Sequence, residues 1–229
     1  SSPLKSTIYN LQSTIYNPQS TILNLHSSIY NLQSSKMSRH FLIHKPYGYL
    51  SQFVCELPKK KLLGELYDFP EGIMAIGRLD EESEGLLLLT TNGVTSERVR
   101  SKKVEKEYFA QVDGEISDEA IAQLQQGVEI GIRDVKYQTL PCSVFRLNEK
   151  PDFPPRTRRI RDDRHGPTSW VSITLSEGKN RQVRKMTAAV GFPTLRLFRV
   201  RIGKIFLDQL KAGEVMEVEQ AFIDEGILG

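Results

Sequence analysis

Four consecutive leucines, Leu86 to Leu89, lie between a glycine turn at Gly77 and the turn signal Asn92-Gly93. A short apolar run bounded by turns reads as a strand buried on both faces. The chain must therefore fold around a sheet with this strand inside it. Gly77-Arg78-Leu79-Asp80 leads into the run, which puts Arg78 and Asp80 on a loop at the edge of the core. A carboxylate held on such a rigid element is well placed for chemistry. An Arg-x-Asp on a loop more commonly serves as a surface ion pair or closes a turn. The loop alone does not choose between these uses.

The 229 residues are 39% hydrophobic, enough to pack a core in one domain or two small ones. No apolar run approaches the ~20 residues that span a bilayer. Cys55 and Cys142 stand far apart, and the four histidines are scattered, so no metal-ligand spacing is present. A reducing, cytoplasmic setting without metal or other cofactor is the expectation.

Residues 1–36 differ from the rest. Seven-residue units recur: Ser6-Thr-Ile-Tyr-Asn-Leu-Gln12, Ser13 to Gln19, Ser20 to His26 and Ser27 to Gln33. The period is that of a coiled coil. Each unit, however, carries poor helix formers, one contains Pro18, and charged flanking positions are missing. The segment is expected to be a disordered extension, translated from repetitive DNA upstream of a start at Met37. Residues 37–229 are expected to form the functional domain.

Within that domain the pattern mixes strands and helices. Residues 41–53 read as strand, turn at Pro46–Gly48, and strand. Residues 104–112 alternate, with Lys106, Tyr108, Ala110 and Val112 on one face. Residues 94–100 suggest a short helix. Residues 117–126 form a helix capped by Ser117 and ended by Gly127. A further helix over 181–190 is predicted to start from Asn180 as its cap, and Arg181, Arg184 and Lys185 share one face of it. Residues 73–76, 128–147, 170–175, 195–202, 205–207 and 214–218 read as further strands. Residues 148–168 are a proline-interrupted insertion with six Lys/Arg against four acidic residues. They are expected to be a mobile basic loop or one that orders on a polyanion.

Charge distribution is more informative than the net charge of +3. From Gly178 to Lys204 there are eight Lys/Arg and no acidic residue. A one-sign stretch alternating with core residues is an electrostatic footprint for nucleic acid. Other chemistries lack their residues: there is no Gly-rich phosphate loop followed by Lys and no Ser or Cys nucleophile signature. Asp80-x-Glu82-x-Glu84-Gly85 mimics a calcium loop but has Thr91 at the twelfth position. A glycosidase pair of Asp80 with Glu82 or Glu84 is conceivable, yet leaves the basic half unused.

Several motifs in order resemble pseudouridine synthases of the RsuA family. They are His44-Lys45-Pro46, Gly77-Arg78-Leu79-Asp80 with Ser83-Glu-Gly-Leu-Leu-Leu-Leu-Thr90, Lys106-Glu-Tyr108, Glu177-Gly-Lys-Asn-Arg-Gln-Val-Arg-Lys-Met186, and Leu197-x-Arg199. The lack of an S4 RNA-binding domain and the basic insertion are similar to the branch acting on 23S ribosomal RNA of the large subunit. The resemblance implies an α+β fold, with a mixed, largely antiparallel sheet, flanking helices and a central RNA-binding cleft. It implies a monomeric isomerase that needs no cofactor. Asp80 would attack or promote cleavage of the glycosidic bond, and Tyr108 would stack on the flipped uracil. Arg184, in preference to Arg181, would pair with Asp80. Arg78 would fill the gap left by the base, and Leu197 would pack against uracil. Lys45, Lys106, Lys179, Arg181, Lys185 and Arg199 would contact RNA. Two other classes remain open: a non-catalytic RNA-binding module of the same fold, and a glycoside or nucleoside hydrolase.

Overall fold

The computed structural model describes residues 38–101, 104–156, 158, 160, 165–208 and 210–228. The repeat segment, and the expectation of disorder there, lie outside the described residues.

The chain opens with β1 (His40–Lys45), the two-residue β2 (Tyr49–Leu50) and β3 (Lys61–Leu62), then β4 (Met74–Ile76) and β5 (Glu84–Thr90). Helix α1 (Gly93–Ser101) leads to β6 (Lys106–Asp113), and α2 (Asp118–Gln126) to β7 (Glu129–Ile132), β8 (Val135–Gln138) and β9 (Ser143–Arg146). The last part holds β10 (Thr168–Leu175), α3 (Gln182–Ala189), β11 (Thr194–Ile202), β12 (Ile205–Phe206), β13 (Val215–Val218) and α4 (Gln220–Ile223). The main sheet runs β13-β1-β5-β11-β6-β10-β9, with β4 on β5 and β12 on β11. Its one parallel pairing is β5 with β11; the other pairs are antiparallel. The fold is thus the mixed, largely antiparallel α+β sheet expected.

The leucine run lies where its composition demands. Leu86 to Leu89 are fully buried. Leu86 and Leu88 face a cluster with Leu42, Phe198 and Ile202, and Leu87 and Leu89 face Phe41, Ile43, Leu63 and Leu79. Alternation along one strand therefore joins two separate apolar layers. Burying each leucine contributes about 1.5–3 kcal/mol. Gly85, at the strand start, has φ +107, and a Cβ there would collide with the Arg199 carbonyl. It is paired with Arg199 in the parallel register, so glycine is what lets β11 lie against the end of β5.

A third cluster joins β6, β10, β11 and helices α2 and α3 through Val112, Leu124, Ile173, Met186 and Leu197. Helix α2 is capped as expected, with Ser117 accepting a hydrogen bond from the Ala120 amide at 3.2 Å and Gly127 at the other end. Helix α3 departs from expectation. Its N-cap is Arg181, not Asn180, in a left-handed conformation (φ 52, ψ 34). The turn is held instead by Gln182, whose side chain accepts from the Lys179 amide at 2.9 Å and donates to Glu177.

The front of the 148–168 insertion is also different from a mobile loop. Phe153 stacks on Phe198 at 3.7 Å with the rings 9° apart, and packs beside Trp170. One aromatic residue in a polar stretch is enough to anchor it to the sheet.

Candidate active site

Asp80 sits in the loop between β4 and β5, and that loop is tied down on every side. Ser51 donates to the Leu79 carbonyl at 2.8 Å and accepts from the Leu79 amide at 3.0 Å. The Gly48 amide donates to the Glu81 carbonyl at 2.8 Å, and the Ser83 amide to that of Asp80 at 3.0 Å. Neither Ser51 nor the Gly48 turn carries a signal in the sequence that would mark it as a support for Asp80.

The sheet order brings distant residues to this loop. Strand β11 runs from the middle of the sheet, and β6 lies beside it with Tyr108 opposite Arg199. Strand β10 ends at Leu175 and passes through the Glu177–Asn180 turn into α3. A cavity of about 70 Å³ forms where they meet, lined by Asp80, Tyr108, Arg78, Lys179, Arg181 and Leu197 among others. A neighbouring cavity of about 420 Å³ shares Arg78, Tyr108 and Lys179 and adds Arg100, Lys106 and Arg199. The sequence-predicted Asp80, Tyr108, Arg78, Lys179, Arg181, Leu197, Lys106 and Arg199 thus converge on two adjoining spaces. Lys185 lines neither.

Three expectations about these residues are corrected. The cation paired with Asp80 is Arg181, with Nη1 at 3.5 Å from Oδ2. Its Nη2 lies 3.3 Å from Glu82. Arg184 instead lies beneath the loop and donates to the Glu82 carbonyl at 3.1 Å and the Thr194 carbonyl at 3.3 Å. The left-handed turn at Arg181 is what swings the earlier arginine toward the carboxylate. Burial, and then neighbouring Arg181, push the Arg184 guanidinium below its ordinary pKa.

Lys45 lines neither cavity. It is fully buried, and its Nζ donates to the carbonyls of Tyr49 at 2.7 Å and Pro46 at 3.0 Å. The Glu81 carbonyl lies 3.5 Å away. It is a strut between the Pro46 turn and the Asp80 loop. Burial lowers its pKa to about 7.

Arg199 likewise offers no broad contact. It is 3% exposed, its Nε donates to the Leu86 carbonyl at 2.7 Å, and its Nη2 has no hydrogen-bond partner. It supports the sheet and presents one edge to the larger cavity. Lys106 is partly buried, with Nζ donating to the Val104 carbonyl at 2.8 Å, and burial lowers its pKa.

Sequence reasoning also missed a buried ion pair. Arg196 grips Glu84 with two hydrogen bonds of 2.9 Å, and both side chains are under one-tenth exposed. Its third contact, 2.7 Å to the Pro154 carbonyl, ties the insertion to the start of β5. The available signal was an arginine between two leucines of a strand, in Leu195-Arg196-Leu197.

The loop, the aromatic and the cations make a site that can hold a planar base against Tyr108 and Leu197, with a carboxylate at its edge and positive charge around it. Among the described residues no group of His, Cys, Asp and Glu could hold a metal ion.

Residues 39–189 match the family model described as RNA pseudouridylate synthase. The chain is 42% identical over 172 residues to a ribosomal large subunit pseudouridine synthase E of Xanthomonas axonopodis pv. citri, covering 74% of this chain and 88% of that one. It is 39% identical over 180 residues to the protein of the same name from Vibrio parahaemolyticus, covering 78% and 73%. A solved structure titled as a pseudouridylate synthase superposes with a TM-score of 0.64 at 28% identity, over 83% of this chain and 74% of that one.

Proposed function

The chain belongs to the RNA pseudouridylate synthase family, and on that premise we propose that it converts a uridine of large-subunit (23S) ribosomal RNA to pseudouridine through Asp80. The observation that carries this is the meeting of Asp80, Tyr108, Arg181 and Leu197 around one small cavity. The reaction breaks the bond between N1 and C1′, turns the base, and forms a bond between C5 and C1′. C5 loses a proton and N1 gains one, so no redox change is involved.

Each residue has a distinct task. Asp80 acts on the glycosidic bond, as nucleophile or by promoting its cleavage. Arg181 orients the carboxylate through their ion pair. Tyr108 stacks on the uracil and lies near C5, where the proton leaves. Leu197 closes the opposite wall, and Arg78, exposed at the mouth, fills the gap in the RNA stack. Extruding the base costs a few kcal/mol, which contacts between the cationic walls and the RNA backbone offset. The enzyme works as a monomer in the cytoplasm, with residues 37–229 as the catalytic domain. No helix among the described residues is long and apolar enough to cross a membrane.

Release of tritium from C5-labelled ribosomal RNA transcript tests this reading. The full chain and one starting at Met37 are expected to release it equally. Asp80→Asn is expected to lower the rate by more than about 10³-fold, and Arg181→Ala by about ten-fold. Release that survives Asp80→Asn would overturn the assignment.

A further inference from the structure

On the other side of the catalytic loop lies a recess of about 300 Å³, lined by Tyr47, Glu82, Arg156, Arg158, Arg184 and others. It is assembled from places far apart in the chain. Tyr47 sits in the turn whose next residue, Gly48, donates to the Glu81 carbonyl. Arg184 is fixed beneath the same loop by the Glu82 carbonyl. Arg156 and Arg158 arrive on the insertion, held by the Phe153–Phe198 stack and the Arg196 contact to Pro154. All of its walls therefore stand in a fixed relation to Asp80.

The charge there is not balanced. Among the described lining residues only Glu82 is acidic, and Arg181 already occupies its carboxylate at 3.3 Å. Arg184 spends its hydrogen bonds on carbonyl and hydroxyl oxygens, and its buried Nε has no partner. The Arg156 Cζ lies over the Tyr47 ring, 4.4 Å from its centre, and its Nε donates to the Arg158 carbonyl at 2.9 Å. A guanidinium beside an aromatic ring keeps further N–H groups for a planar or tetrahedral anion. Burial lowers the pKa of Arg156, so an anion placed beside it gains a charge partner already partly shielded from water.

We propose that this recess binds a phosphodiester of the RNA strand flanking the target uridine, so that the strand is gripped on both sides of Asp80. The inference rests on the reading of the chain as an RNA pseudouridine synthase. It gives the insertion a task, which is to add a phosphate grip to the catalytic domain itself.

Binding of the full chain to a large-subunit ribosomal RNA transcript, measured on filters from 50 to 200 mM salt, tests it. The variants are Arg156→Ser, Arg156→Ser with Arg158→Ser, and Lys136→Ser, which removes a charge from exposed β8. Melting temperatures report folding. Loss of one phosphate contact is expected to lower the slope of log K against log salt by about 0.7. The double variant is also expected to weaken binding about ten-fold at the higher salt, whereas Lys136→Ser leaves the slope at the wild-type value. Folded Arg156 variants whose slope matches that of Lys136→Ser would overturn the inference. The same preparations are assayed for pseudouridine. A wild-type chain that makes pseudouridine while the slopes coincide refutes the recess alone. A recess-dependent slope with no pseudouridine refutes the enzymatic reading alone.

Discussion

Arg181 holds a left-handed backbone at φ 52, a conformation that costs a non-glycine residue on the order of 1 kcal/mol. The cost is offset at the place where its guanidinium meets Asp80 and Glu82. Lys45 carries a second local cost, a buried ammonium whose pKa falls from 10.5 to about 7. The folded chain there binds fewer protons than the unfolded chain between those two values. Stability therefore rises with pH from about 7 and is lost as pH falls back toward 7, with a slope of up to about 1.4 kcal/mol per pH unit. Denaturant unfolding at pH 7, 8 and 9 is expected to show this rise in the wild type and not in Lys45→Met. Equal slopes would place the titration elsewhere. At this scale the meeting of Asp80, Tyr108 and Leu197 at one cavity was legible from the motifs they sit in. The roles of Arg181 and Arg184 were not, because helical spacing puts both on one face and only the turn geometry separates them. Lys45 was misread because a lysine beside a turn carries no mark of the carbonyls that fold back over it.

Among the elements, β5 and β11 set the site, since their parallel contact brings the Asp80 loop beside Tyr108 and Leu197. Gly85 is the hinge of that contact. Gly85→Ala forces a Cβ into the Arg199 backbone at φ +107 and is expected to cost about 3 kcal/mol or more. Thermal melting checks it, and an unchanged midpoint would show that the two strands can separate without loss. The leucine run, the alternation of β6 and the Ser117 cap of α2 were readable because each is a local pattern. The strand order was not, because pairing between β5 and β11 joins residues more than a hundred positions apart and leaves no local trace. The docking of the insertion was hidden for a related reason: its composition is that of a loop, and the partners of Phe153 and of the Pro154 carbonyl lie far along the chain on the sheet.

For the whole molecule, cationic walls flank one carboxylate loop: Arg78, Arg100, Lys106 and Lys179 on one side, Arg156, Arg158 and Arg184 on the other. The one-sign stretch from Gly178 to Lys204 foretold part of this. Its buried members, Arg196 and Arg199, are spent on the sheet instead, so a charge count along the chain overstates the surface offered to RNA. The most direct measurement is nucleotide-resolution mapping of pseudouridine on large-subunit ribosomal RNA transcript, by chemical derivatisation and primer extension, after incubation with the full chain or its Asp80→Asn variant. A new pseudouridine at one position with the wild type, and none with the variant, is the expected result. The same modification with Asp80→Asn, or none with a wild-type chain that binds the RNA, would contradict the assignment of this loop as the catalytic centre for that RNA.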